Sequence, residues 1–227
     1  MLVQMASARR FNRWMAETIA PFVMGDVFEA GAGIGNMTTL LFRPGSRYIA
    51  SELEPHHLHQ LQTVLPQHSD LAIAECDLLN QSDLAPFAEQ IDTVVCLNVL
   101  EHIEDDLAAV RNLRSLLRCS GRAIILVPQG PRAYGSLDRV LGHYRRYTRS
   151  ELQRKVAAAG FHLERIIEFN RITYPGWYLN SRILKRTTLS GAQLRFVDRL
   201  VPLWRYIDRF LPWPGASLIA IAARDGC

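Results

Sequence analysis

The sequence predicts an α/β fold: a mostly parallel sheet of seven strands with helices on both faces, a three-layer sandwich. Three observations predict it. Seven short apolar runs of strand type recur along the 227 residues. Helical patterns separate most of them, and strand alternating with helix gives parallel strands joined by crossovers. The fourth and fifth runs, Val94–Leu97 and Ala123–Val127, are apolar without a break, as strands covered on both faces are.

The strands are expected at Asp26–Ala30, Arg47–Ser51, Leu71–Cys76, Thr93–Leu97, Arg122–Val127, Leu163–Phe169 and Ser217–Ala223. Ahead of the first, Ala6–Phe22 carries Phe11, Trp14, Met15, Thr18, Ile19 and Phe22 at helical spacing, which makes residues 1–24 an N-terminal cap helix. A short helix over Met37–Phe42 follows the first strand. Asp105–Leu117 places Leu107, Val110, Leu113, Leu116 and Leu117 on one face, with Gly121 as a stop. Thr148-Arg149-Ser150-Glu151 is a capping box, in which the Thr oxygen takes a backbone N–H and the Glu reaches back. Its helix runs over Leu152–Ala159 and ends at Gly160. One segment breaks the rhythm. Arg171–Gly215 is inserted before the last strand, with Trp177, Trp204 and Trp213 and eight basic against two acidic residues. The whole, residues 1–227, reads as a single domain.

Composition excludes several classes. Hydrophobic residues make up 48% and charged residues 21%, which are globular values and rule out a disordered chain, a collagen or a coiled coil. A net charge of +4 is too mild for a protein built around nucleic acid. No apolar run reaches the length of a membrane span. Cys76, Cys96, Cys119 and Cys227 form no C-x-x-C pair and read as buried free thiols. That composition points to a reducing compartment, the cytoplasm.

The sharpest local signal is Glu29-Ala30-Gly31-Ala32-Gly33-Ile34-Gly35-Asn36, between a strand and a helix. Glycines there allow a tight turn and a close backbone approach to a ligand. The dinucleotide pattern G-x-G-x-x-G fails at Asn36, and what stands is E-x-G-x-G-x-G. That pattern resembles the first motif of the class I S-adenosylmethionine-dependent methyltransferases, and further elements follow in that family's order. Glu52, in Ser51-Glu52-Leu53-Glu54, ends the second strand. Cys76-Asp77-Leu78 follows the third, and Asn98-Val99-Leu100-Glu101-His102 the fourth.

The resemblance, which covers Arg10 to Arg224, implies a seven-stranded sheet with an antiparallel last strand and S-adenosylmethionine as cofactor. It implies that Gly31, Gly33 and Gly35 form the cofactor turn and that Glu52, with Leu53, takes the ribose hydroxyls. Asp77 takes the adenine amine and the Leu78 backbone a ring nitrogen, while Asn98 and His102 wall the methionine end. Glu29 holds the methionine amine or buttresses the turn. His102 packs at a helix start or touches the cofactor.

Methyl transfer from a sulfonium is an in-line displacement that needs alignment, water exclusion and, for an acceptor bearing a tightly held proton, a base. The loop after the fifth strand holds Gly142-His143-Tyr144-Arg145-Arg146-Tyr147. Imidazole is the side chain suited to proton transfer near neutral pH, so His143 is the general-base candidate, or it anchors the loop. Arg146 and Tyr144 are candidates for an acidic or aromatic small-molecule acceptor. Trp177 and Trp14 are expected to face each other across the mouth. No residue set for a metal stands out, and nucleic acid is not expected as a partner. O-methylation of a small molecule is the favoured reaction. The alternative is a lipid- or carrier-linked sugar or quinone precursor at a membrane surface; a non-catalytic cofactor-binding protein ranks below both. Within the insertion, Leu194, Val197, Leu200, Val201, Trp204, Ile207 and Leu211 form a stripe that is core, a lid, a homodimer face or a peripheral membrane contact. Pro202 should kink or divide its helix.

Overall fold

The computed structural model describes residues 8–188 and 190–225. In chain order, α1 (Arg9–Ile19) precedes β1 (Val27–Ala30), α2 (Asn36–Leu41), β2 (Tyr48–Glu52), α3 (Pro55–Val64), β3 (Leu71–Glu75), α4 (Gln81–Leu84) and β4 (Ile91–Leu97). Then come α5 (Asp106–Leu116), β5 (Leu117–Pro128), α6 (Ser136–Val140), α7 (Arg149–Ala158), β6 (His162–Phe169), α8 (Tyr174–Tyr178), α9 (Gly191–Ile207) and β7 (Ser217–Ala223). The expected helix start at Ala6 and the thiol of Cys227 lie outside the described residues.

All seven strands form one sheet in the order β3-β2-β1-β4-β5-β7-β6. Strands β1 to β5 pair in parallel. Only β7 runs against its neighbours, wedged between β5 and β6, with Ile125 opposite Ala220 on one side and Ile166 opposite Ala220 on the other. The crossovers put helices on both faces, so Val94, Val95, Cys96, Ile124 and Ile125 are fully enclosed. Two apolar layers result. One, under α5 and α7, contains Leu113, Leu116 and Val156, and the other, under α1, contains Trp14, Ile19, Val95, Ile124 and Val201.

Three local expectations change. Gly121 does not stop a helix: α5 ends at Leu116 and β5 begins at Leu117. A Cβ at Gly121 would lie 2.9 Å from the Arg118 carbonyl and 3.1 Å from that of Ile91, so glycine serves the strand's close backbone approach. Pro202 does not divide its helix, which continues to Ile207. The interruption is bridged from outside. Asp198 accepts the Phe11 N–H at 2.9 Å and Arg205 pairs with Glu17 at 2.7 Å, pinning α9 to α1 on both sides of the proline. Third, the cysteines are not all free. Cys76 and Cys96 are buried thiols, but Cys119 is disulfide-bonded. Cys119 sits exposed near the start of β5, where another sulfur can reach it, so thiol burial gives no compartment for this chain.

Candidate active site

The turn after β1 is built on two left-handed glycines. Gly31 has φ +67°, and a Cβ there would lie 2.5 Å from a Val99 methyl. Gly33 has φ +58° and open space where a Cβ would be. One position closes the turn against the β4 loop; the other leaves the backbone bare toward the mouth. Gly35, also left-handed, precedes α2.

Glu29 sits beneath this turn, fully buried. Its carboxylate accepts from Thr38 Oγ1 at 2.6 Å and Tyr48 Oη at 2.9 Å. Burial raises its pKa to about 7, against the two hydrogen bonds that favour the charge. Both bonds fall on one oxygen, Oε2, and tie Glu29 to α2 and β2.

Glu52 ends β2 with its carboxylate turned to the turn. It accepts from Gly33 N at 2.7 Å and from the Leu53 and Glu54 amides at 3.0 Å. Leu53 itself is exposed and contributes its backbone. Asp77 follows β3, accepts from Leu79 N at 2.9 Å, and is itself held through its N–H by Asp83 at 3.0 Å. Leu78 beside it is buried, its carbonyl accepting from Asn112. Asn98 takes a left-handed φ of 55° straight after β4, a conformation that asparagine tolerates better than most side chains. Its N–H donates to Leu126 O at 2.9 Å. Consecutive parallel strands thus deliver Gly33, Glu52, Asp77 and Asn98 to one edge of the sheet, at the carboxyl ends where open α/β sheets hold ligands. A bare glycine backbone beside a strand-end carboxylate fits the nucleoside and methionine ends of S-adenosylmethionine.

The loop after β5 closes over that edge. Tyr144 N–H donates to Glu101 O at 2.7 Å, and the His102 and His143 rings meet edge to face at 4.7 Å. His143 Nδ1 lies 3.0 Å from Asp138 Oδ1. A carboxylate only accepts, so in neutral imidazole Nδ1 carries the proton and Nε2 presents a lone pair. Asp138 is fully buried and also takes Arg146 Nε at 2.7 Å, the Gly135 N–H at 3.0 Å and Trp177 Nε1 at 3.3 Å. Burial works against its charge, but His143 and Arg146 outweigh it and hold its carboxyl below the usual range.

This network corrects two acceptor-side expectations. Arg146 is buried, bound to Asp138 and to Gln129 O, and its guanidinium lies 4.6 Å from the Trp177 ring centre. It frames the loop, with its Nε and Nη1 donors committed to Asp138 and Gln129. Trp14 is buried too, its ring 4.5 Å from Phe169 and 6.1 Å from Phe11, so it packs instead of lining the mouth. Tyr144 is exposed, and Trp177 is half-buried between the loop and the insertion.

Two residues escaped the sequence. Asp138 carries no motif of its own in the sequence, yet it joins His143, Arg146, Gly135 and Trp177. Glu101 is fully buried, and neither carboxylate oxygen has a hydrogen-bond partner among the described residues. Burial raises its pKa to about 8. The adjacent His102 is lowered, by burial first and then by His143. Glu101, His102 and His143 bring one ligand atom each within 4.8 Å of one another, a donor set that a divalent cation accepts, although the sequence singled out no metal ligands. The pairing of Glu and His in Glu101-His102 was the available signal.

A protein-family model described as a methyltransferase domain matches residues 28–123, which run from the glycine turn into β5. The ubiquinone biosynthesis O-methyltransferase of Xanthomonas euvesicatoria pv. vesicatoria is 29% identical over 182 residues, 72% of each chain. Among solved structures, a putative methyltransferase from Bacillus halodurans C-125 superposes with a TM-score of 0.66 at 17% identity, over 94% of this chain and 98% of the other. An S-adenosylmethionine-dependent methyltransferase from Mesorhizobium loti gives 0.64 at 13%, over 92% and 96%. The structural matches establish the fold, and the family model and curated relatives support an S-adenosylmethionine-dependent methyltransferase, in agreement with the glycine turn and the strand-end carboxylates.

Proposed function

We propose that the protein transfers the methyl group to a hydroxyl oxygen of a small acidic or aromatic molecule, held between the loop after β5 and α8. The observation that carries this reading is the Asp138–His143 pair. It fixes the imidazole through Nδ1, so that Nε2 is the ring nitrogen left to take a proton. Curated relatives named ubiquinone biosynthesis O-methyltransferase support oxygen as the acceptor atom.

When bound, the cofactor supplies an electrophilic methyl on a sulfonium, whose departure needs no proton. The chain has three tasks. Glu52 accepts the two ribose hydroxyls, while Asp77 and the Leu78 amide hold adenine. The turn at Gly31, Gly33 and Gly35 and the post-β4 residues Asn98 and His102 orient the methionine end. His143 takes the acceptor's proton as the oxygen attacks, and the buried Asp138 carboxylate stabilises the imidazolium that forms. Tyr144 and Trp177 border the acceptor and exclude water.

The test is His143→Ala. Removing a general base lowers kcat by about 10²–10⁴ while S-adenosylhomocysteine affinity holds. An unchanged kcat would remove the base and leave alignment alone.

A further inference from the structure

The inserted segment buries one side of α9 and leaves another, apolar, side open. Inward, Val201 is buried and Leu194, Val197 and Trp204 are partly covered against α1, as half of the expected stripe requires. Outward, Phe196, Leu203, Tyr206 and Phe210 are 65%, 61%, 68% and 73% exposed, and Ile207, expected inside, is exposed with them. Residues 196, 203, 207 and 210 recur at helical spacing, so they share a face. Ile183 and Leu184, in the turn before α9, are exposed as well. Large aliphatic and aromatic side chains grouped this way mark an interaction surface.

Charge selects the partner. Both acids of the segment are turned inward: Asp198 accepts from Phe11 N and the buried Asp208 from Ile172 N. Arg182, Lys185, Arg195 and Arg199 stand exposed, with no carboxylate partner among the described residues. Arg209 lies over the Phe210 ring at 4.7 Å. Two copies of such a face would set cations against cations. An apolar stripe with arginine beside it matches a surface that is apolar within and anionic at its boundary.

We propose that this outer face docks on an anionic lipid bilayer, with Phe196, Leu203 and Phe210 entering the headgroup boundary and Arg195 and Arg199 lying against lipid phosphates. The face is a peripheral contact, since no helix among the described residues is long and apolar enough to cross a membrane. The insertion leaves β6 at Phe169 and rejoins β7 at Ser217, which pair at the mouth end of the sheet, and its Trp177 donates to Asp138. Docking therefore sets against the lipid surface a segment that leaves and rejoins the sheet at its mouth end. The proposal goes beyond the methyl-transfer reading and is measured without turnover.

The experiment is co-sedimentation with vesicles of phosphatidylcholine alone and of phosphatidylcholine mixed with phosphatidylglycerol. The full chain should pellet with the mixed vesicles only, and salt should release it. Each arginine near an anionic surface contributes about fivefold in affinity, so Arg195→Gln with Arg199→Gln should weaken binding by about 25-fold. Replacing Phe196, Leu203 and Phe210 together by Ser should abolish it. Retained S-adenosylhomocysteine binding in each variant shows that the fold is intact. Failure of the wild-type chain to pellet with mixed vesicles overturns the proposal. So does a wild-type dimer that the serine variant converts to monomer, because the face is then a subunit seam. Methyl transfer to a soluble acceptor, assayed separately, reports on the O-methylation reading alone.

Discussion

Glu52 shows how much a single carboxylate can carry. One oxygen holds the glycine turn through Gly33 and the other collects two amides of its own loop. On the proposed reading, ribose exchanges partners at a site that is already ordered. Glu52→Ala should weaken cofactor binding by about 1.5–3 kcal/mol, the scale of hydrogen bonds to a charged group, as read by calorimetry. Unchanged affinity would place the ribose elsewhere. Glu29 behaves differently because water does not reach it. Its pKa rises from 4.5 to about 7 on folding. Below pH 4.5 both folded and unfolded chains keep the proton. Between 4.5 and 7 the unfolded chain loses it first, so stability falls as pH rises, and above 7 the loss is complete. Glu29→Gln lacks this titration. The stability of the cofactor-free variant relative to wild type should rise through pH 5 to 7 and then level off in urea melts. A difference independent of pH would mean that the buried carboxyl does not titrate there. The sequence marks both glutamates. What it does not show is that one is turned to the glycine turn and the other held in the core, because the second depends on Tyr48 and Thr38 arriving from other elements.

Elements differ in how legible they are, for a physical reason. The seven strands and the capped helix α7 are specified by patterns within a few residues, and the structure follows them. Thr148 Oγ1 accepts from Glu151 N at 3.2 Å while Glu151 accepts from Thr148 N at 2.7 Å. Thr148→Ala should cost about 1 kcal/mol in urea unfolding, and a smaller loss would show that α7 is held by packing alone. Gly31→Ala should cost more. It combines a left-handed φ with a Cβ 2.5 Å from Val99, and cofactor affinity should drop with stability. The insertion is less legible because its helix takes its order from a distant partner. Pro202 removes one backbone donor, which local rules read as a break, but contacts from α1 on either side keep α9 whole. Arg146 and Trp14 mislead for the same reason. Their chemistry suits an acceptor, and only the fold shows that Asp138 and Phe169 already occupy them.

At the scale of the molecule, Asp138 is the joint between two parts of the chain. It binds His143 and Arg146 of the loop and Trp177 of the insertion, with Ser181 at 3.5 Å. Asp138→Asn should lower kcat by orienting His143 poorly, and it should also speed tryptic cleavage in the exposed stretch around Arg182 and Arg186. A kcat loss without faster cleavage would confine Asp138 to the imidazole. The order of these parts along the chain has a consequence of its own. Every group assigned to the cofactor lies between Glu29 and His102, and every group assigned to the acceptor lies between Asp138 and Trp177. β5, which separates them, runs buried through the middle of the sheet and pairs with β4 on one side and β7 on the other. The family-wide match ends at residue 123, inside that strand. Rewriting the chain after β5 would therefore change the groups proposed for the acceptor and leave those proposed for the methyl donor in place.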